Sequence, residues 1–165
     1  MKGAITGFLL FCCVTVIAQK NSVTRILNKA LLAEQKRQKN NPENYCGGIY
    51  EIIKGYHILN DSLQIQLKQA LIYEEGYEMA TYTVALKDVH AIAKDINILL
   101  ETGKDKVKMV SHVFYKGGGD TIVTNYSSLY FLHLCDEKNN EDFADELVRA
   151  FKKLDITIIK SHWYD

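Results

Sequence analysis

The chain predicts an α+β fold: an antiparallel β-sheet or open barrel of about six strands covered by a C-terminal amphipathic helix, with an additional N-terminal helix. Three observations carry this. Apolar residues alternate with polar ones from Leu63 onward (Leu63, Ile65, Leu67 against Gln64, Gln66, Lys68), the period of a half-buried strand. Turn clusters then recur at short intervals: Glu74-Glu75-Gly76, Thr102-Gly103-Lys104-Asp105 and Lys116-Gly117-Gly118-Gly119-Asp120. Finally Phe143, Leu147, Val148, Ala150, Phe151 and Leu154 repeat at three and four, which makes one apolar helix face.

Taken in chain order, the first element is a leader. Lys2 supplies a positive start, Ala4 to Ala18 is almost wholly apolar, and Gln19 opens polar sequence. That pattern predicts a signal peptide over 1–18, cleaved near Ala18, and a secreted or periplasmic address. The apolar run is short for a membrane span, which takes about 20 residues, so the mature chain is expected to have no stable membrane span. The remainder divides into an N-terminal helical region, 19–62, and a sheet-plus-helix domain, 63–165. Ser22 to Lys39 reads as a helix capped by Ser22, with Val23, Ile26, Leu27, Ala30 and Leu31 on one stripe. Asn40-Asn41-Pro42 ends it. Ile49, Ile52, Ile53 and Tyr56 are spaced for a short helix within Tyr45–Leu59, against which Gly47, Gly48 and Gly55 argue.

Asn60-Asp61-Ser62 is a turn leading into the strand from Leu63, and Tyr77–Ala85 is its return. Leu86 to Ile92 reads as a connection anchored by Leu86, Val89 and Ile92. Strands follow at Ile96–Glu101, Val107–Tyr115, Thr121–Tyr126 and Leu129–Asp136. In the last helix Asn140 is the expected cap. Acidic residues (Glu141, Asp142, Asp145, Glu146) gather at its start and basic ones (Arg149, Lys152, Lys153) at its end, as the helix dipole favours. Ile156, Ile158, Ile159 and Trp163 indicate that the tail docks. This order of strands and a closing helix over Leu63–Leu154 resembles the pleckstrin-homology-like superfold, in which a bent sheet is closed at one end by the final helix. The resemblance implies no ligand site here. The family's phosphoinositide sites use basic residues in the first strand turn, and the turn here, Glu74-Glu75-Gly76-Tyr77-Glu78, is acidic.

Charge excludes some partners. The 165 residues hold 20 basic and 20 acidic side chains, a near-neutral balance that argues against nucleic acid, which is held mainly by a basic footprint. Cys12 and Cys13 leave with the leader. Cys46 and Cys135 are either a disulfide closing a long loop or two packed thiols. His133 and Cys135, two apart, would share a strand face and could begin a metal site with Asp136 or His112. Three or four convergent ligands are needed, so neither a metal site nor a cofactor is assigned. Cys46 has no nucleophile signature around it. Gly117, Gly118 and Gly119 form a hairpin turn with the mobility of a recognition loop, and Tyr126 and Tyr130 near a sheet edge are candidate contact residues. Asn60-Asp61-Ser62 and Asn125-Tyr126-Ser127 match the glycosylation acceptor pattern.

With no acid/base or nucleophile cluster in view, the sequence points to a secreted or periplasmic non-enzymatic binding module for a protein, a peptide or a small apolar ligand. Two other classes remain: a secreted hydrolase using a Cys/His pair or metal-bound water, and an envelope assembly component whose strand edge pairs with another chain.

Overall fold

A computed structural model describes residues 3–42, 49–135 and 140–164. It is an α+β fold with two helices and nine strands among those residues. Helix α1 runs from Gly3 to Asn40. Strands β1 (Tyr50–Leu59), β2 (Ser62–Ala70) and β3 (Gly76–Ala85) form a meander. A single 3₁₀ turn, Leu86–Asp88, leads to β4 (Val89–Lys94) and β5 (Ile98–Thr102). Then come β6 (Val107–Tyr115), β7 (Asp120–Ser127) and β8 (Leu129–Phe131). Helix α2 (Glu141–Lys152) and β9 (Ile159–Trp163) complete the chain.

The strands form two sheets. The first is wholly antiparallel with order β1-β2-β3-β6-β7; the second has order β8-β5-β4-β9. In the second sheet only the tail strand β9 runs parallel to its neighbour, β4. The docking expected of the tail is therefore a main-chain pairing, with Ile158 buried beside it.

The alternation read from Leu63 decides which face of the first sheet meets the core. Leu63, Ile65 and Leu67 of β2 lie opposite Val84, Tyr82 and Ala80 of β3, which lie opposite Val107, Met109 and Ser111 of β6. Most of these are buried. Val23, Ile26, Leu27 and Leu31 of α1 and Ala144, Leu147, Ala150 and Phe151 of α2 join the same core. Each fully buried Leu or Phe of this kind stabilises the fold by about 1.5–3 kcal/mol. The helices touch each other, α1 also meets β1, and α2 meets β9.

Several sequence expectations change. Ser22 is not a cap, because α1 passes through it without a break. The helix expected within Tyr45–Leu59 is strand β1, inside the 19–62 stretch that reads as helical. Its β-branched and aromatic residues pair with β2, and two register shifts, between Ile52 and Lys54 and between Lys54 and His57, disturb the alternation that would have marked a strand. Leu86–Ile92 holds a strand start as well as a connection. The strand expected over Leu129–Asp136 ends at Phe131, since His133 takes a left-handed backbone (φ 51°); Asp136 is outside the described residues. Asn140 does precede α2, but its side chain makes no capping hydrogen bond. Instead its Oδ1 accepts from the buried Lys94 Nζ at 3.1 Å.

Candidate functional site

The outward face of the five-stranded sheet carries the only clustered aromatic surface among the described residues that spans several strands. Cross-strand pairing builds it in rows. Lys68, Met79, His112 and Ile122 make one row across β2, β3, β6 and β7; Ala70, Tyr77, Phe114 and Asp120 make the next. Tyr77 and Phe114 stack with ring centroids 4.8 Å apart at 22°. His112 lies 4.0 Å from Phe114. Lys68 Nζ sits 4.5 Å over the Tyr77 ring, a cation–π geometry, and at the other end His112 Nε2 contacts the Asp120 carboxylate. The result is a flat apolar patch with a cation at one side and an anion at the other. Gly76 is required beneath it: at φ +155° an added Cβ would fall 2.1 Å from the Phe114 carbonyl oxygen.

At β7 the sheet runs past its core. The inner-face residues of β6 are largely buried, but their neighbours on β7 are Thr121, Val123, Asn125 and Ser127, and all eight residues of β7 are exposed. Thr121, Asn125, Ser127 and an exposed Val123 on the inward side, and Ile122 and Tyr126 on the outward side, leave this strand open on both faces.

The candidate contact residues thus separate. Tyr126 is 59% exposed on β7. Gly117, Gly118 and Gly119 are exposed in the β6–β7 turn, at the far end of the hairpin, about 20 Å away by strand rise. Tyr130 is a correction: it is 0% exposed, because the alternation Leu129-Tyr130-Phe131 on β8 turns it inward. It belongs to a second cluster with Tyr50, Tyr56, Tyr82 and His133. The His133 ring meets Tyr50 at 5.6 Å and Tyr82 at 5.0 Å. Tyr50 Oη donates to the His133 carbonyl (2.8 Å) and Tyr56 Oη to the Leu132 carbonyl (2.6 Å). Burial, and secondarily the neighbouring phenols, push the Tyr56 and Tyr130 hydroxyls well above their ordinary range. Burial lowers His133 to about 4. At neutral pH these groups are uncharged, which suits them to packing in the interior.

The residues that a hydrolase would need are dispersed. His57 Nδ1 contacts the Gly55 carbonyl on β1, His90 is exposed on β4, and His112 faces outward on β6. The Cys135 amide donates to Glu34 Oε1 at 3.0 Å, and its Sγ lies 3.1 Å from Asn97 Oδ1. His133 and Cys135 do not share a strand face, since neither lies in a strand. Cys46 lies outside the described residues, and with it the disulfide expected between Cys46 and Cys135. Among the described residues no group of three His, Cys, Asp or Glu side chains could hold a metal, and no helix is long and apolar enough to cross a membrane. The outward aromatic patch was not visible as a motif. Its signal was register: Tyr77 and Phe114 become neighbours only once β3 and β6 pair. No family model matches the chain, and neither a curated protein nor a solved structure is similar to it.

Proposed function

We propose that the chain is an exported, non-enzymatic binding module that holds a peptide segment against the outward face of its five-stranded sheet. The observation that carries this reading is the Tyr77–Phe114–His112 patch between Lys68 and Asp120. Such a patch offers rigid aromatic area at low entropic cost, together with two opposite charges to set orientation. Export rests on the leader pattern at Met1–Ala18. The dispersed histidines and the neutral buried phenols favour a binding role over a hydrolytic one.

The test is selection of peptides from a displayed random library, followed by titration against Phe114→Ala and Tyr77→Ala. Selected peptides are expected to weaken at least tenfold on both variants. Equal binding to wild type and variants rejects the face as the site. For export, mass spectrometry of the product from an expressing host is expected to give an N-terminus at Gln19; an intact leader on cytosolic protein overturns the address.

A further inference from the structure

The geometry points to a second copy of this chain as the occupant of the β7 edge, paired strand to strand across a two-fold axis at Thr124. This goes beyond the proposed face, because it uses the edge of the sheet and not its surface. The Tyr115 amide donates to the Gly119 carbonyl at the hairpin turn (3.2 Å). Counting from that closure, the odd-numbered residues of β7 bond to β6. Asp120, Ile122, Thr124 and Tyr126 therefore direct their amides and carbonyls outward. β7 ends the sheet order, so these groups have no strand beside them among the described residues.

Native edges are guarded by lysine, proline, bulges or a covering element. β7 has no Lys, Arg or Pro, its pairing with β6 shows no register shift, and all of it is exposed. It is also self-matching. Two copies of one edge can pair antiparallel only where residues of the same parity face each other, which puts a residue on the two-fold. With Thr124 there, Thr124 faces Thr124 and Ile122 of each copy faces Tyr126 of the other. Thr–Thr and β-branched–aromatic pairs are the favourable cross-strand combinations. Charge is compatible as well. Asp120 is the one charged residue of β7 and lies at its end, far from the other copy's Asp120, and the chain carries no formal net charge at pH 7. A peptide of another sequence could use the same hydrogen bonds. The self-match across Thr124 is what favours a second copy, and the product is one continuous sheet with two outward patches.

The contact adds about six main-chain hydrogen bonds over an area below the roughly 1,000 Å² of a tight interface. Association is thus expected at about 100 μM and not at nanomolar concentration. Sedimentation of the purified full chain from about 5 to 500 μM should show reversible dimerisation. Thr124→Pro deletes an outward amide and spares the β6 ladder, and Thr124→Lys places two cations on the axis. Both should be monomeric over the whole range with unchanged far-ultraviolet dichroism, whereas Phe114→Ala should dimerise as wild type does. That last result separates this inference from the proposed face. A wild type that stays monomeric at the highest concentration overturns the inference, and so does a dimer that persists in Thr124→Lys. If Thr124→Pro fails to fold, Thr124→Lys decides alone.

Discussion

β1 and β7 end the same sheet, and both carry β-branched and aromatic residues, yet they meet solvent in opposite ways. On β1 the edge is occupied. Asn28 of α1 turns its side-chain amide onto Tyr56, with Nδ2 donating to the Tyr56 carbonyl and Oδ1 accepting from the Tyr56 amide, each at 2.8 Å. One side chain thereby imitates a paired strand residue. Gly55 permits the approach, because a Cβ there would sit 2.6 Å from Asn28 Oδ1. Two register shifts and the charges of Glu51 and Lys54 complete the guard. β7 has no register shift, and its one charge, Asp120, lies at its end. The contrast teaches that this chain closes an edge where the core reaches it and leaves an edge open where the core has run out.

The sharpest way to break the contrast is to unguard β1. Asn28→Leu leaves the Tyr56 amide and carbonyl unsatisfied at a partly buried site. At about 1–3 kcal/mol for each such group, lowered because the site is only partly buried, the loss should be about 2–4 kcal/mol, read from the urea midpoint with an unchanged slope. A loss under about 0.5 kcal/mol would mean that water replaces Asn28 and that the edge is not closed by it.

Acid should act on the same side of the molecule. His133 lies against Tyr50 of β1 and Tyr82 of β3, and its Nε2 is buried with no hydrogen-bond partner among the described residues. Its proton affinity in the fold is lowered, from 6.5 to about 4, by burial. Between those values the unfolded chain binds more protons than the folded one, so stability is full above pH 6.5 and falls as pH drops toward 4. The whole window is worth at most about 3 kcal/mol. Denaturation midpoints at pH 7, 5.5 and 4 should show the decline, and His133→Phe should flatten it. Hydrogen exchange should show β1 amides losing protection in acid before those of β6. A wild-type profile no steeper than the variant's would remove His133 as the cause.

How far the sequence reveals these two edges follows from what each is made of. β2, β3, α2 and the Asn60-Asp61 turn are legible because local pattern and final environment agree. Leu63, Ile65 and Leu67 alternate and are buried on one side, and both turn residues adopt positive φ (49° and 59°), as a tight hairpin needs. β1 is illegible because its two register shifts replace alternation with the three-and-four spacing of a helix. β4 is hidden for another reason: Ala91, Ile92, Ala93 and Lys94 are all buried, so nothing alternates. The sequence does not separate Tyr130 from the exposed Tyr126, since only pairing with β5 shows that Tyr130 turns inward. The outward patch depends on Tyr77 of β3 meeting Phe114 of β6, residues far apart in the chain, and no single segment contains it.

Between the two edges lies the aromatic patch, where a smaller effect is expected. Phe114→Ala removes the stack on Tyr77 and the contact with His112 from a partly exposed position. Its cost should be about 1 kcal/mol, measured by the same urea titration. A cost above about 3 kcal/mol would place Phe114 in a structural core and count against an open binding face.

The smallest change is expected at β7, and there its size depends on concentration. Ile122 is 67% exposed and touches no core, so Ile122→Lys should alter the stability of dilute protein by less than about 0.5 kcal/mol. At high concentration the same change would remove the β-branched–aromatic pair that Ile122 makes with Tyr126 of a second copy. Wild type should then gain thermal stability as concentration rises, by mass action on the folded state, and Ile122→Lys should not. If dilute wild type and variant differ by more than about 2 kcal/mol, β7 is covered within a single chain and the two edges are alike. If they coincide when dilute and diverge when concentrated, the bare edge is bare only in the monomer.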